Sequence, residues 1–220
     1  MNLLIRYYNL KGLHLFMGVV FANLILIWLS KTLLINEVVF YNAYSEQLTY
    51  ERSIKLFENM NRLSWISYAF TPIILLIKFS LVSIVLYIGI VFYNIQSKIS
   101  LSSVFRIVIA SEIIFISAGF VKFLWFYLFA GNYDLNDLGF FYPLSLINFF
   151  KKAEVSRLWI YPLQTVNLFH LLYIIMISYG LNKSCFIDKP DSDKIVLFSY
   201  VPSLVLWEAL IMFLTIDVSI

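Results

Sequence analysis

Five stretches of this chain, roughly residues 13–35, 64–93, 101–130, 158–181 and 195–216, run for twenty or more residues with very few charges. A helix needs about 20 mostly apolar residues, each adding about 1.5 Å, to cross a hydrocarbon layer about 30 Å thick. Each stretch meets that length. The runs are continuously apolar rather than alternating, which selects helices over barrel strands. Helices also satisfy their own backbone hydrogen bonds where water is absent. The expected fold is therefore all-α: a polytopic transmembrane bundle of five spans, forming one membrane domain over residues 1–220.

Composition agrees with a lipid solvent. Apolar residues make up 61% of the 220 and charged residues 13%, where a soluble domain has about half and about a quarter. The net charge of +3 comes from scattered Lys and Arg. Without a run of like charges there is no basic patch for nucleic acid, so none is expected as a partner. The single Cys185 has no second cysteine to pair with, and it is read as a small loop residue.

Arg6 and Lys11 precede the first apolar run, as in a signal sequence. The run is too long for an h-region, however, and it ends in Trp28-Leu29-Ser30-Lys31 with no small-x-small site. It is expected to stay as the first span. Pro72 and Pro202 fall inside the second and fifth spans, where kinks are expected, and Pro162 in the first turns of the fourth.

Two connections are long enough to carry structure. Residues 36–63 mix Glu37, Glu46, Glu51 and Glu58 with Arg52, Lys55 and Arg62, and their 46–60 portion suits a short surface helix. Residues 138–150 are apolar and aromatic but too few to span, so an interfacial or re-entrant segment is expected. Its Phe140, Phe141, Tyr142, Phe149 and Phe150 are candidate contacts for lipid or a partner. Lys and Arg near the span ends place the amino terminus in the cytoplasm by the narrow margin of seven against six, with Lys98 among the seven. The compact chain, without disulfide-rich loops, suggests a bacterial inner membrane.

An ionisable group deep in a membrane requires a partner or a function. Counting along the spans puts Lys78, Glu112, His170 and Glu208 near the middle of four different helices, with Asn167 close by. Asn167, His170 or Leu171, and Ser178 recur at helical spacing as one polar stripe. One reading is structural: a Lys78–Glu112 ion pair, with Asn167, His170 and Glu208 sharing interhelical hydrogen bonds. The other is a proton or ion pathway, or a polar ligand pocket. Lys31, Arg106 and Lys122 lie nearer the span ends, where long stems can carry charge to the headgroups. Trp65, Trp125, Tyr127 and Trp159 read as interfacial aromatics, and His14 as an interfacial residue.

No phosphate-binding glycine loop, zinc-binding His-Glu-x-x-His, Cys-x-x-Cys pair or Gly-x-Ser-x-Gly elbow occurs, and no cofactor or metal is expected. The nearest approach to a catalytic motif is Asp134-Leu-Asn-Asp137, whose two carboxylates could hold Mg²⁺ for phosphoryl chemistry on a lipid. A solvated loop is the better explanation of the pair, because such enzymes gather further acidic residues and the nearest, Glu154, lies beyond the aromatic segment.

The run NLFHLLYIIMISYGL from Asn167 to Leu181, a short polar turn, and KIVLFSYVPSLV from Lys194 to Val205 resemble the fourth and fifth spans of the Yip family of Ypt/Rab-interacting proteins and its bacterial relatives. The resemblance covers about a quarter of the chain, and the eukaryotic members' Asp-Leu-Tyr-Gly-Pro type signature is absent. It implies a non-enzymatic membrane component acting in complexes, and it carries over no functional residues. The leading expectation is thus an accessory or scaffold subunit serving transport, secretion or envelope assembly, with the bilayer and other membrane subunits as partners. The rivals are a small transporter or channel using the ionisable layer and a metal-dependent lipid-modifying enzyme.

Overall fold

A computed structural model describes residues 3–8, 10–45, 47–93 and 99–217. Glu46 and Lys98, counted above among the loop charges, lie outside the described residues. The described residues are helical with no strand, and the sole bridge between extended segments joins Ser145 to Asn167. Helix α1 (Leu3–Tyr8) leads into α2 (Gly12–Leu29), which ends in a π turn over Ser30–Leu34. Then come α3 (Glu37–Tyr44), α4 (Tyr50–Leu63), α5 (Trp65–Phe92), α6 (Leu101–Ser111) and α7 (Ile113–Leu128). The chain closes with α8 (Leu135–Phe140), α9 (Arg157–Thr165), α10 (Leu168–Ser184), α11 (Lys189–Ile195) and α12 (Val201–Asp217).

Among the described residues four helices are long and apolar enough to cross a membrane: Gly12–Leu34, Trp65–Phe92, Leu101–Leu128 and Lys189–Ile216. Three follow the expected ranges closely. The last begins six residues before the expected 195, because α11 carries Asp191, Asp193 and Lys194 in continuity with the apolar run.

The stretch 158–181 is not the single helix expected. It divides at Val166–Asn167 into α9 and α10. β-branched Thr165 and Val166 are weak helix formers, and Asn167 offers the backbone a competing set of bonds. Its Oδ1 accepts from the His170 amide at 2.7 Å, capping α10, while its Nδ2 donates to the Gln164 and Thr165 carbonyls.

Other irregularities are milder. At Glu112 one turn tightens, its amide bonding Ile109 O at 3.2 Å, so α6 and α7 form one interrupted helix. Pro202 follows a π turn over Val196–Tyr200, an arrangement that accommodates the missing amide and the ring. Pro72 lies within an unbroken α5.

The core forms where α2, α5, α6, α10 and α11 meet around Phe79, Leu86, Ile107, Tyr173, Ile177 and Leu181. Helix α1 inserts into it. Tyr8 is fully buried and donates to Met176 O at 2.8 Å, and Tyr7 donates to Ala110 O at 3.2 Å. Small residues permit the close crossings. A Cβ at Gly89 would lie 2.8 Å from Ser199 Cβ, and one at Gly180 would lie 2.5 Å from Ile107 Cγ2. Cys185, read as a loop residue, ends α10 with its side chain buried.

The 36–63 connection folds as α3 and amphipathic α4, the latter a few residues beyond the expected 46–60. Trp65, Trp125, Tyr127 and Trp159 are all exposed on the bundle surface, as is His14.

Candidate functional site

The break at Asn167 determines where the aromatic segment goes. Leu146 donates its amide to Val166 O at 3.0 Å, and Leu168 donates to Leu144 O at 3.1 Å, so the segment pairs with the interrupted helix. Gln164 Nε2 adds bonds to the Gly139 and Phe140 carbonyls at 2.7 and 2.8 Å. Ile147 is fully buried, and Leu144 takes a positive φ of 52° to make the turn. Residues 138–147 therefore fold back onto the bundle. The five aromatic contact candidates divide accordingly. Phe141 stacks on Trp125 with centroids 5.7 Å apart, Tyr142 faces inward, Phe140 is held by Gln164, and Phe149 and Phe150 remain exposed.

Behind this segment lies a cavity of about 590 Å³ between α5, α9 and the Tyr200–Trp207 part of the last helix. The α5 wall is apolar, with Ile74, Ile77 and Leu81. These three residues and Trp207 are also exposed, so the wall continues onto the outer surface of the bundle. Closure at the other end comes from the Gly89–Ser199 contact, beyond which α5 and α12 separate.

Polar groups gather at the inner end. Lys78 Nζ donates to Glu112 Oε1 at 2.6 Å, with 39% of the Lys78 side chain exposed against 5% for Glu112. The ammonium also lies 4.6 Å from the Phe115 ring centroid. His170 Nε2 shares a hydrogen bond of 3.2 Å with Tyr200 Oη, and its ring packs edge-on to Phe115. Asn167, Tyr142, Tyr161 and Gln164 complete this end. Among the described residues, Glu112 Oε2 and His170 Nδ1 have no hydrogen-bond partner.

Four of the five predicted layer residues, Lys78, Glu112, Asn167 and His170, are thus brought to one place. Glu208 is not. The last helix begins earlier than expected, which places Glu208 about 12 Å along the axis beyond Tyr200. There its neighbour is the Thr165 hydroxyl. The expected hydrogen-bond network among Asn167, His170 and Glu208 is also absent. Asn167 serves its own helix terminus, and His170 instead bonds Tyr200. Sequence reading missed Tyr142, Tyr161 and Tyr200 as polar wall residues. Tyrosines are abundant in this chain, and nothing local marks the three that turn inward. Of the proposed stripe, Asn167 and Ser178 are buried and Leu171 is exposed, so His170 is its middle member.

The carboxylates proposed for Mg²⁺ are engaged elsewhere. Asp134 Oδ1 accepts from the Asp137 amide at 2.7 Å and Asp137 Oδ2 from the Asp134 amide at 3.0 Å, a reciprocal cap on α8. Lys152 Nζ bridges both, 2.8 Å from Asp137 Oδ1 and 3.3 Å from Asp134 Oδ1. Partial burial alone would raise the Asp134 pKa, but the Asp137 amide and the Lys152 ammonium together hold it below the usual carboxylate range. Burial pulls Lys152 down, and the two carboxylates outweigh that and raise it. Among the described residues no group of three or more His, Cys, Asp and Glu side chains is placed to hold a metal ion.

No protein-family model matches the chain, and neither a curated protein nor a solved structure matches it.

Proposed function

We propose that this protein is a non-catalytic integral membrane component that binds an amphiphilic ligand within the bilayer, acting as an accessory subunit of a membrane complex. The observation that supports this reading is the cavity at Lys78. Its apolar wall of Ile74, Ile77 and Leu81 continues onto the surface that hydrocarbon would wet. Its inner end offers an ammonium, an imidazole and phenolic hydroxyls. A ligand with an apolar body and a small polar head matches that division, and a volume of about 590 Å³ suits a small molecule or one lipid chain with its head. The polar groups are already paired with each other, Lys78 with Glu112 and His170 with Tyr200, which suits recognition better than proton abstraction. On this reading α9 and α10 together make a fifth crossing, segment 138–147 is re-entrant, and the irregular backbone is tolerated because protein and cavity surround it. The same reading keeps the amino terminus in the cytoplasm of a bacterial inner membrane.

The test is identification of co-purifying small molecules by mass spectrometry after mild-detergent extraction, comparing wild type with Ser203→Trp, which fills the cavity. An amphiphile present in wild type and lost in the variant, at equal thermal stability, supports the reading. A wild type free of ligand and of any stoichiometric partner subunit would sink it.

A second reading is favoured by one observation, the helix break beside an ion pair at mid-span. Discontinuous helices whose half-helix ends face polar substrates are a recurring transporter device. It calls for a pH-dependent flux in proteoliposomes that disappears in Glu112→Gln.

A further inference from the structure

A second cavity, about 680 Å³ and sharing no lining residue with the first, lies at the end of the helices where α3, α4 and α8 gather. Its floor comes from α2 and α7, with Leu26, Ile27 and Phe123. Its roof is the apolar edge of α4, with Met60 and Leu63. Two cations line it, Lys31 from the π turn closing α2 and Lys122 from α7, and no Asp or Glu does. Both lysines are half-buried, and neither forms an ion pair among the described residues. The contrast with Lys78 is instructive. That ammonium, placed deeper, is neutralised by Glu112 at 2.6 Å, whereas Lys31 and Lys122 give their cavity two uncompensated positive charges.

Depth decides which anion could balance them. Lys31 lies about 5 Å and Lys122 about 9 Å of helical rise inside the ends of their apolar helices. Extended lysine stems place their ammonium groups at the level where glycerol and phosphate groups of a bilayer begin. Below them the cavity is walled by aliphatic and aromatic side chains, which suit acyl chains and not a hydrated free ion. Two ammonium groups without a protein counter-ion at that level attract an anionic lipid head by charge, whichever face of the bilayer they occupy.

We propose that this cavity is a binding site for an anionic glycerophospholipid, with its phosphate between Lys31 and Lys122, its acyl chains along Leu26, Ile27 and Phe123, and α4 closing over it. The site is separate from the Lys78 cavity and stands or falls independently of the function proposed for that cavity.

Native mass spectrometry of the full chain in mild detergent tests it, with phosphatidylglycerol and phosphatidylcholine of matched chains as probes. Wild type should retain phosphatidylglycerol at least tenfold more tightly than phosphatidylcholine. Lys31→Gln/Lys122→Gln should reduce that preference below twofold, and Lys31→Arg/Lys122→Arg should keep most of it. Because the double exchange to glutamine can disturb folding, Lys122→Gln alone is measured too, with a three- to fivefold loss expected. Lys183→Gln, which changes an exposed lysine lining neither cavity, should leave the preference unchanged. Wild-type binding that ignores headgroup charge overturns the proposal, as does an undiminished preference in both glutamine variants. Displacement of the lipid by millimolar glycerol 3-phosphate overturns it as well, since the apolar floor would then contribute nothing.

Discussion

Lys78 and Glu112 show how one pair of side chains can be both structural and available. Removing one partner from a fully buried ion pair costs about 3 to 5 kcal/mol, because the other charge is left without compensation. Here the Lys78 side chain keeps an exposed flank and Phe115 also contacts the ammonium, so Lys78→Met should cost about 2 kcal/mol, under that range. Glu112→Gln in the Lys78→Met background should recover most of the loss. A double-mutant cycle on thermal unfolding in detergent measures the coupling, and additive effects would show that the pair contributes nothing as a pair. Tyr8 gives a second residue-scale prediction. Tyr8→Phe removes the bond to Met176 O from a fully buried site and should cost about 1 kcal/mol, whereas Tyr8→Ala also opens a cavity and should cost about 3 kcal/mol or more. The ion pair was legible in the sequence, since two lone charges in apolar runs must find each other. The place of Tyr8 was not, because a tyrosine beside Arg6 reads equally well as an interfacial residue.

Helices in this bundle approach as closely as their smallest residues allow. Gly89→Ala should destabilise by about 1 to 3 kcal/mol, the range for overpacking, because Ser199 is anchored by its own bond to Ile195 O at 2.5 Å and cannot easily yield. Gly18→Ala, where the added carbon meets nothing within 4 Å, should be neutral or slightly stabilising. The two variants compared by thermal unfolding separate packing from helix propensity. The Asp134–Asp137–Lys152 latch holds the start of α8 to the 152–154 turn and gives a pH prediction. The Asp134 carboxyl is depressed in the folded state, so its contribution is present above the unfolded value of about 4 and fades as pH falls through the lower folded value. Lys152 is raised, so its contribution persists below about pH 10 and fades only in stronger alkali. Hydrogen-exchange protection factors in residues 134–154, with the intrinsic pH dependence of amide exchange divided out, should therefore be lower near pH 3 than at pH 7. Asp134→Asn, which keeps the cap but lacks the charge, should flatten that dependence. An equal loss of protection in the variant would remove the latch from the explanation.

At the scale of the whole molecule, the long apolar helices and α10 share one core, and the break at Asn167 lets residues 138–147 fold against the cavity at Lys78. If Asn167 is what interrupts the helix, Asn167→Leu should join α9 to α10 and displace Leu144–Leu146 from their bonds to Val166 and Leu168. Cysteine accessibility at Ser145, buried in wild type, should rise several-fold in that variant, and no change would place the cause elsewhere. The sequence by itself determined the all-helical class and which runs are long and apolar enough to cross a membrane, because hydropathy summed over about 20 residues depends on no distant contact. It also determined that Lys78 and Glu112 lie at comparable depth, since rise per residue is fixed. Only the tertiary structure decided the rest. It folded the aromatic segment onto the break at Asn167, set His170 against Tyr200 across 30 positions, and left Glu208 outside the group. Those outcomes depend on which backbone groups find partners and how closely two helices cross. Such pairings join residues far apart in the chain, so no local pattern encodes them.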